Sequence, residues 1–224
     1  MPITCIAGDT HFPFADPAKI RAFLARVAYL KPQIVLQIGD ALDLMSWGRF
    51  PRSTCLMTPA QELKRGRAQA EEFWQRVRAA AGKRAKLYQL IGNHDERPAK
   101  RMLSQLPDFE PFLDDYASWW RFDGVHTQPS QREELILGGV VFMHGYRKHG
   151  EHVKHNLKNT VVGHSHVGGV VYLRLGNRTL WELNAGYLGN PRTVALSYTA
   201  QAKISKWTPG MGEIEDGQPR FITL

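Results

Sequence analysis

Two hydrophobic periods alternate along the first ninety residues. Nearly unbroken apolar runs at Ile3–Ala7, Ile34–Gln37 and Leu87–Ile91 have the length of strands. Between them, Ala18–Leu30 places Ile20, Phe23, Leu24 and Val27 at helical spacing, and Pro59–Ala81 places Leu63, Ala70, Phe73, Trp74 and Val77 along one side. Thr58 suits the cap of the second helix, Pro59 its first position and Gly82 its end. Strand, helix, strand, helix, strand predicts a parallel sheet covered on both faces, which is why its strands carry no polar alternation. Two further apolar runs, Val140–Met143 and Thr160–Val162, read as strands.

From about Leu135 the texture changes. Short alternating runs broken by Gly or Asn turns predict a mostly antiparallel second sheet, including the stretch "RTVALSYTAQAKISKW". A Pro- and Gly-containing loop over Pro209–Pro219 precedes a last strand at Arg220–Thr223. The insert "PDFEPFLDDYASWWRFDG" is aromatic-rich and shows no period. There is no internal repeat, and 224 residues suit one large α/β domain spanning 1–224.

Composition narrows the setting. No apolar run approaches the length of a membrane span, and the start lacks the basic-then-apolar pattern of a secretory signal. Cys5 and Cys55 make no disulfide framework, so a reducing cytoplasmic location is expected, with Cys5 a buried thiol. The net charge of +8 draws the chain toward polyanions, although a solvated basic surface gives the same number.

The ends of the strands carry the chemistry. "ITCIA" stops at Gly8-Asp9-Thr10-His11, "IVLQI" at Gly39-Asp40-Ala41-Leu42-Asp43 and "LYQLI" at Gly92-Asn93-His94-Asp95; "GVVFM" stops at His144-Gly145 and "TVV" at Gly163-His164-Ser165-His166. In open α/β sheets ligands bind at the carboxyl ends of strands. Turn chemistry accounts for Asp, Asn and Gly at such places but not for recurrent His. Asp, Asn and His together form a mixed oxygen and nitrogen donor set, suited to Mn, Fe, Zn, Co or Ni. Strand alternation predicts that His164 and His166 face the same rim and Ser165 turns away.

In this order, D-x-H, G-D-x-x-D, G-N-H-D, H-G and G-H-x-H resemble the motifs of the calcineurin-like metallophosphoesterases, from Asp9 to His166. "ELNAGYLGNPR" at Glu182–Arg192 is similar to the stretch that often follows. The resemblance implies a four-layer α/β/β/α sandwich with two mixed β-sheets and a site for two divalent transition-metal ions, manganese foremost. It implies Asp9, His11 and His166 on one metal, Asn93, His144 and His164 on the other, and Asp40 between them. A hydroxide shared by the metals would attack the phosphorus. His94 resembles the catalytic His that protonates or stabilises the leaving oxygen, with Asp43 the acid that orients it and raises its pKa.

Two divalent ions, two aspartates and one hydroxide sum to about +1, which matches a phosphodiester better than a monoester. Leu44 stands where family members acting on phosphoproteins carry Arg. A phosphodiesterase acting on nucleic acid or nucleotides is therefore the leading expectation. A phosphomonoesterase, with Arg97 or Arg147 supplying the extra cation, is the alternative, and a non-enzymatic scaffold a third. Cations in Pro59–Lys86, at Arg97, Lys100 and Arg101, and in Arg147–Lys158 form a potential polynucleotide-binding strip. His149, His152 and His155 are expected at the surface or on the substrate side.

Overall fold

The computed structural model describes residues 2–48, 57–108, 119–128, 130–193 and 201–224. In chain order its elements are β1 (Thr4–Ala7), α1 (Pro17–Leu30), β2 (Ile34–Gln37), a 3₁₀ turn (Met45–Trp47), α2 (Pro59–Ala81), β3 (Lys86–Gln89), α3 (Arg97–Gln105) and β4 (Val125–Thr127). There follow β5 (Leu135–Leu137), β6 (Val140–Phe142), α4 (His152–Asn156), β7 (Thr160–Val162), β8 (Gly169–Leu175), β9 (Arg178–Asn184), α5 (Gln201–Ile204), β10 (Gly210–Glu215) and β11 (Gln218–Thr223).

The second helix starts at the cap its sequence predicts, and the first starts one residue ahead of its expected start. Asp16 accepts from the Ala18 amide at 2.9 Å ahead of Pro17. Thr58 and Gln61 form a reciprocal capping box ahead of Pro59, and Gly82 closes α2. Both helices bury one apolar stripe, Ile20, Phe23, Leu24 and Val27 on α1 and Ala70, Phe73, Trp74 and Val77 on α2. They pack on one face of the first sheet with Cys5, Ala7, Val35 and Leu87. Burial pushes the Cys5 thiol up to about 12, so it is an inert core group. Trp120 joins this layer and Trp119 packs against it.

The first sheet has the order β11-β10-β1-β2-β3-β4, and β1 to β4 are parallel in register. The second has the order β5-β6-β7-β9-β8. Its centre is parallel, β6 beside β7 beside β9, with antiparallel strands at both edges. The expected mostly antiparallel sheet is thus a mixed one, and the β10–β11 hairpin joins the first sheet through β1. Segment "RTVALSYTAQAKISKW" also departs from expectation: 201–204 form helix α5, and 194–200 lie outside the described residues.

Ile6, Leu36, Ile38 and Leu90 from the first sheet meet Val140, Phe142, Val161, Trp181 and Leu183 from the second. The second face of the first sheet is covered by this other sheet, not by helices. Beyond it, α4 contacts β7 and β9 near Val141, Met143 and Val162. Helices outside two mixed sheets give the four-layer sandwich, with a thin outer layer on the α4 side. Among the described residues no helix is long and apolar enough to cross a membrane.

Parallel strands in both sheets end on one rim, where a bridge between Asp9 and Tyr187 ties the two sheets together. The cations of α2 distribute unevenly about this rim. The first turns of α2 lie beside it, since Glu62 accepts from the Met45 and Ser46 amides at 2.8 and 2.9 Å. From Glu62 to Ala81 the helix then runs away for about 29 Å at 1.5 Å per residue. Arg78, at its far end, donates to the Ala85 carbonyl at 2.6 Å and the Gly124 carbonyl at 2.8 Å. Arg78 therefore closes a helix–strand junction and takes no part in a strip of cations at the rim.

Candidate metal centre

Each loop leaving a rim strand bends at once. Four of the candidate ligands adopt the left-handed backbone region: His11 at φ 52°, Asp40 at 51°, His164 at 64° and His166 at 60°. For residues with a Cβ this conformation carries a strain cost and persists only where the surroundings impose it. It corrects the expected reason for the shared orientation of His164 and His166. Strand β7 ends at Val162, and two left-handed bends, not strand alternation, direct both rings to the rim. Two glycines permit the closeness. A Cβ on Gly92 would collide with the Asp40 side chain, and one on Gly163 with Asp9 Oδ1.

The side chains form three groups, of which two share Asp40 and a third joins His11, Asp43 and His94. Asp9, His11, Asp40 and His166 make the first and Asp40, His144 and His164 the second, each with donor atoms within 4.8 Å of one another. Asn93 belongs with the second, its Oδ1 lying 2.7 Å from His164 Nδ1 and 3.1 Å from His144 Nε2. Asp9, His11, Asp40 and His144 are almost fully buried, whereas His164 and Asn93 are half-buried and face the opening.

Their hydrogen bonds fix which nitrogen is free. His144 Nδ1–H donates to the Ile38 carbonyl at 3.1 Å. Its Nε2 lone pair then faces Asn93 Oδ1 at 3.1 Å and Asp40 Oδ2 at 3.3 Å. Three acceptors converge with no donor among them, an arrangement that a cation or a proton must satisfy. His11 repeats the pattern: Nδ1–H donates to Asp43 Oδ2 at 3.0 Å, and Nε2 lies 3.1 Å from His166 Nε2. Asp9 Oδ1 is buried with no hydrogen-bond partner. The protein alone responds by taking up protons. Against burial, the Asp40 and Asp9 carboxylates raise His144 to about 9. Burial, opposed by His144 and reinforced by Asp40, raises Asp9 to about 7. Asp40 is buried too, yet His144, His94 and His11 hold it well below the usual carboxylate range. These donors fit divalent metal ions, which would take the place of the protons.

His94 stands beside the two groups that share Asp40, its ring 4.6 Å from that of His11 in a T-shaped contact. Its backbone amide donates to Asp40 Oδ1 at 2.8 Å. Nδ1–H donates to the backbone carbonyl of Asp43 at 2.8 Å, and Nε2 accepts from Arg97 Nη2 at 2.8 Å. Asp43 thus orients His94 through its carbonyl, while its carboxylate holds His11 and lies 3.9 Å from His94 Nδ1. The expected rise in the His94 pKa is reversed. Burial lowers it to about 3; Asp40 opposes this, and the nearby charges of His11 and Arg97 add to it. Arg97 also donates to the Asp43 carbonyl at 2.9 Å and lies 3.8 Å from its carboxylate.

The sequence profile of calcineurin-like phosphoesterases matches residues 1–200. The chain belongs to the calcineurin-like phosphoesterase family. The gene 54 protein of Mycobacterium phage L5 is 26% identical to this chain over 95% of the chain and 89% of the phage protein. A crystal structure of a Vps29 single mutant from Entamoeba histolytica aligns over 99% of both chains, at 15% identity and a TM-score of 0.48. The structure of YfcE, a phosphoesterase from E. coli, aligns over 99% of this chain and 92% of its own, at 15% identity and a TM-score of 0.47.

Several residues outside the candidate ligand set shape the centre. Asn184 donates to the Gly163 carbonyl and to Ser165 Oγ, both at 2.9 Å, and accepts from the Gly186 amide at 3.0 Å. It clamps the loop bearing His164 and His166, and it accounts for Ser165 turning away from them. Tyr187 stacks on His166 with centroids 4.4 Å apart, and Trp207 meets the same ring edge-on at 4.4 Å. Asp95 accepts from the amides of Leu42 at 2.9 Å and Gly92 at 2.8 Å, tying two ligand loops together. Asn184 and Tyr187 lie in the stretch Glu182–Arg192, which the sequence marks by its resemblance to the family, but their packing is visible only in the structure. His152 is corrected from a surface residue to a buried one, its Nε2 accepting from the Tyr146 and Arg147 amides at 3.1 Å each. His155 is exposed and His149 half-buried.

Asn184→Ala is expected to leave a folded protein whose metal affinity falls about 10- to 100-fold, the usual effect of losing an outer orienting hydrogen bond. Titration with Mn²⁺ followed by calorimetry checks this; an unchanged affinity would show that the loop is held by other means.

Proposed function

We propose that this chain is a phosphoesterase dependent on two divalent transition-metal ions, with a preference for phosphodiesters. The observation that supports it is the pair of donor groups sharing Asp40. Asp9, His11 and His166 would hold one ion, Asn93, His144 and His164 the other, and Asp40 both. When bound, such a pair supplies Lewis-acid polarisation of the phosphoryl oxygens and a water of lowered pKa. Asp43 fixes His11 by its carboxylate, and Asn184 fixes the loop of His164 and His166. His94, buried and paired to Arg97, marks the leaving-group side of the centre. It is neutral in the protein alone, with Arg97 donating to Nε2; with Arg97 turned to an anionic substrate, Nε2 would be free to take a proton and hand it to the leaving oxygen.

Charge supports a diester. Asp9 and Asp40 would offset half the charge of two divalent ions, a hydroxide one unit more, and Asp43 offsets Arg97, so the centre would carry about +1 and suit a singly charged phosphate. The contact between Arg97 and His94 favours a second reading, a monoesterase in which Arg97 turns to the extra phosphate charge. With Mn²⁺, bis-p-nitrophenyl phosphate is expected to be hydrolysed at least about tenfold more efficiently than p-nitrophenyl phosphate, which shares its leaving group. A reversed ratio that Arg97→Gln abolishes would establish the monoesterase.

A further inference from the structure

Next to the donor groups, on the His94 side, lies a cavity of about 560 Å³ lined by Trp47, Asn93, Arg97, Lys100, Arg101 and Ser104. Asn93 and Arg97 join it directly to the centre. Its floor is made by the 3₁₀ turn that carries Trp47, and its wall by one face of α3. Both are built to hold their position. Glu62, buried at 2% exposure, accepts from the Met45 and Ser46 amides and fixes the turn. Arg101 Nη1 donates to the Gly48 carbonyl at 3.1 Å and joins the wall to the floor.

The lining combines Trp47, half-buried and packed in part against the first core layer, with three cations. Of these, Arg97 is committed to His94 and Asp43. Lys100 meets Glu96 at 2.7 Å; the lysine is largely exposed and can turn to another anion, while Glu96 is mostly buried and also accepts from the Gln131 amide. Arg101 spends one nitrogen on a carbonyl and keeps its other donors. A site with a single anion to bind needs no second and third cation a helical turn away, and no indole beside them. The combination suits a chain of phosphates carrying flat bases, for which aromatic stacking and backbone cations are the general recognition chemistry.

We propose that this cavity is the leaving-group subsite for a single-stranded polynucleotide, with Trp47 stacking on the base beyond the scissile phosphate and Lys100 and Arg101 on the next phosphate. This rests on the phosphoesterase reading for the position of the scissile phosphate. The placement on the leaving-group side follows from His94, which opens toward this cavity through Arg97. It also locates the basic contacts on α3, near the rim, instead of along the far end of α2.

Binding separates this inference from the activity. The probe is a short, labelled, single-stranded phosphorothioate oligodeoxynucleotide, measured by fluorescence anisotropy on the Mn²⁺-loaded protein. An abasic strand of equal length is expected to bind about 10- to 100-fold more weakly, the effect of losing a stacked base. Trp47→Phe should keep that preference for bases and Trp47→Ala should lose it. In Lys100→Gln/Arg101→Gln the slope of log affinity against log salt should fall by about 1.4, two contacts at roughly 0.7 each. Equal binding of normal and abasic strands, or a salt slope that the double substitution leaves unchanged, would overturn the subsite. Bis-p-nitrophenyl phosphate hydrolysis by the wild type, measured alongside, judges the phosphoesterase reading separately: loss of base and salt effects with turnover intact removes the subsite alone.

Discussion

Asp40→Asn is expected to fold normally, to lose its metals and to lose nearly all activity. The substitution is chosen for the backbone. Asp40 sits at φ 51°, where Asn is among the residues best tolerated, and Asn keeps an oxygen to accept from the His94 amide. What it removes is the carboxylate that the two donor groups share. Lewis-acid stabilisation is worth several kcal/mol, so the loss of turnover should exceed roughly 10³-fold. The wild type should melt at a higher temperature when Mn²⁺ is added, because an ion that binds only the folded state stabilises it. Asp40→Asn should melt cooperatively without that increase. A variant that retained the Mn²⁺ shift would show that Asp40 holds no ion.

His94→Ala is expected to separate chemistry from metal binding. The ring makes no place in either donor group around Asp40, and the amide that bonds Asp40 belongs to the backbone. The variant should therefore keep its ions. Loss of a general acid costs about 10²–10⁴-fold for an alkyl leaving group, and much less for nitrophenolate, which leaves without a proton. Rates on a methyl p-nitrophenyl diester and on a dialkyl-type linkage, each as a ratio to wild type, provide the measurement. Equal losses on both would assign His94 to positioning the centre, through Arg97 and the Asp43 carbonyl, rather than to proton delivery.

The parts of the fold legible in the sequence are those set by local physics. A 3.6-residue apolar stripe placed α1 within a residue of its observed start, and the stripe with its capping residues placed α2 at its observed start. The runs "IVLQ" and "TVV" gave β2 and β7 with their observed ends. Partner choice between distant strands was not legible. The parallel trio β6, β7 and β9 and the return of β10 to β1 depend on contacts that a short alternating run does not encode. At the centre, the residue types and their places after strands were readable, because glycine-flanked His and Asn have few other uses there. The orientation of Asp43 was not. Its carboxylate and its carbonyl serve different histidines, a distinction made by one left-handed turn after another. His152 shows the same limit: a histidine in a basic, polar stretch becomes core because Glu182, buried beneath it, accepts from the amides of Gly150, His152 and Val153.

The central claim is that one rim holds two metal ions through a shared aspartate. A crystal structure of the Mn²⁺-loaded protein, with anomalous scattering at the manganese edge, tests it most directly. The account predicts two peaks about 3.5–4 Å apart, one against Asp9, His11 and His166, the other against Asn93, His144 and His164, with Asp40 between them. A single peak, or peaks away from these side chains, would contradict it.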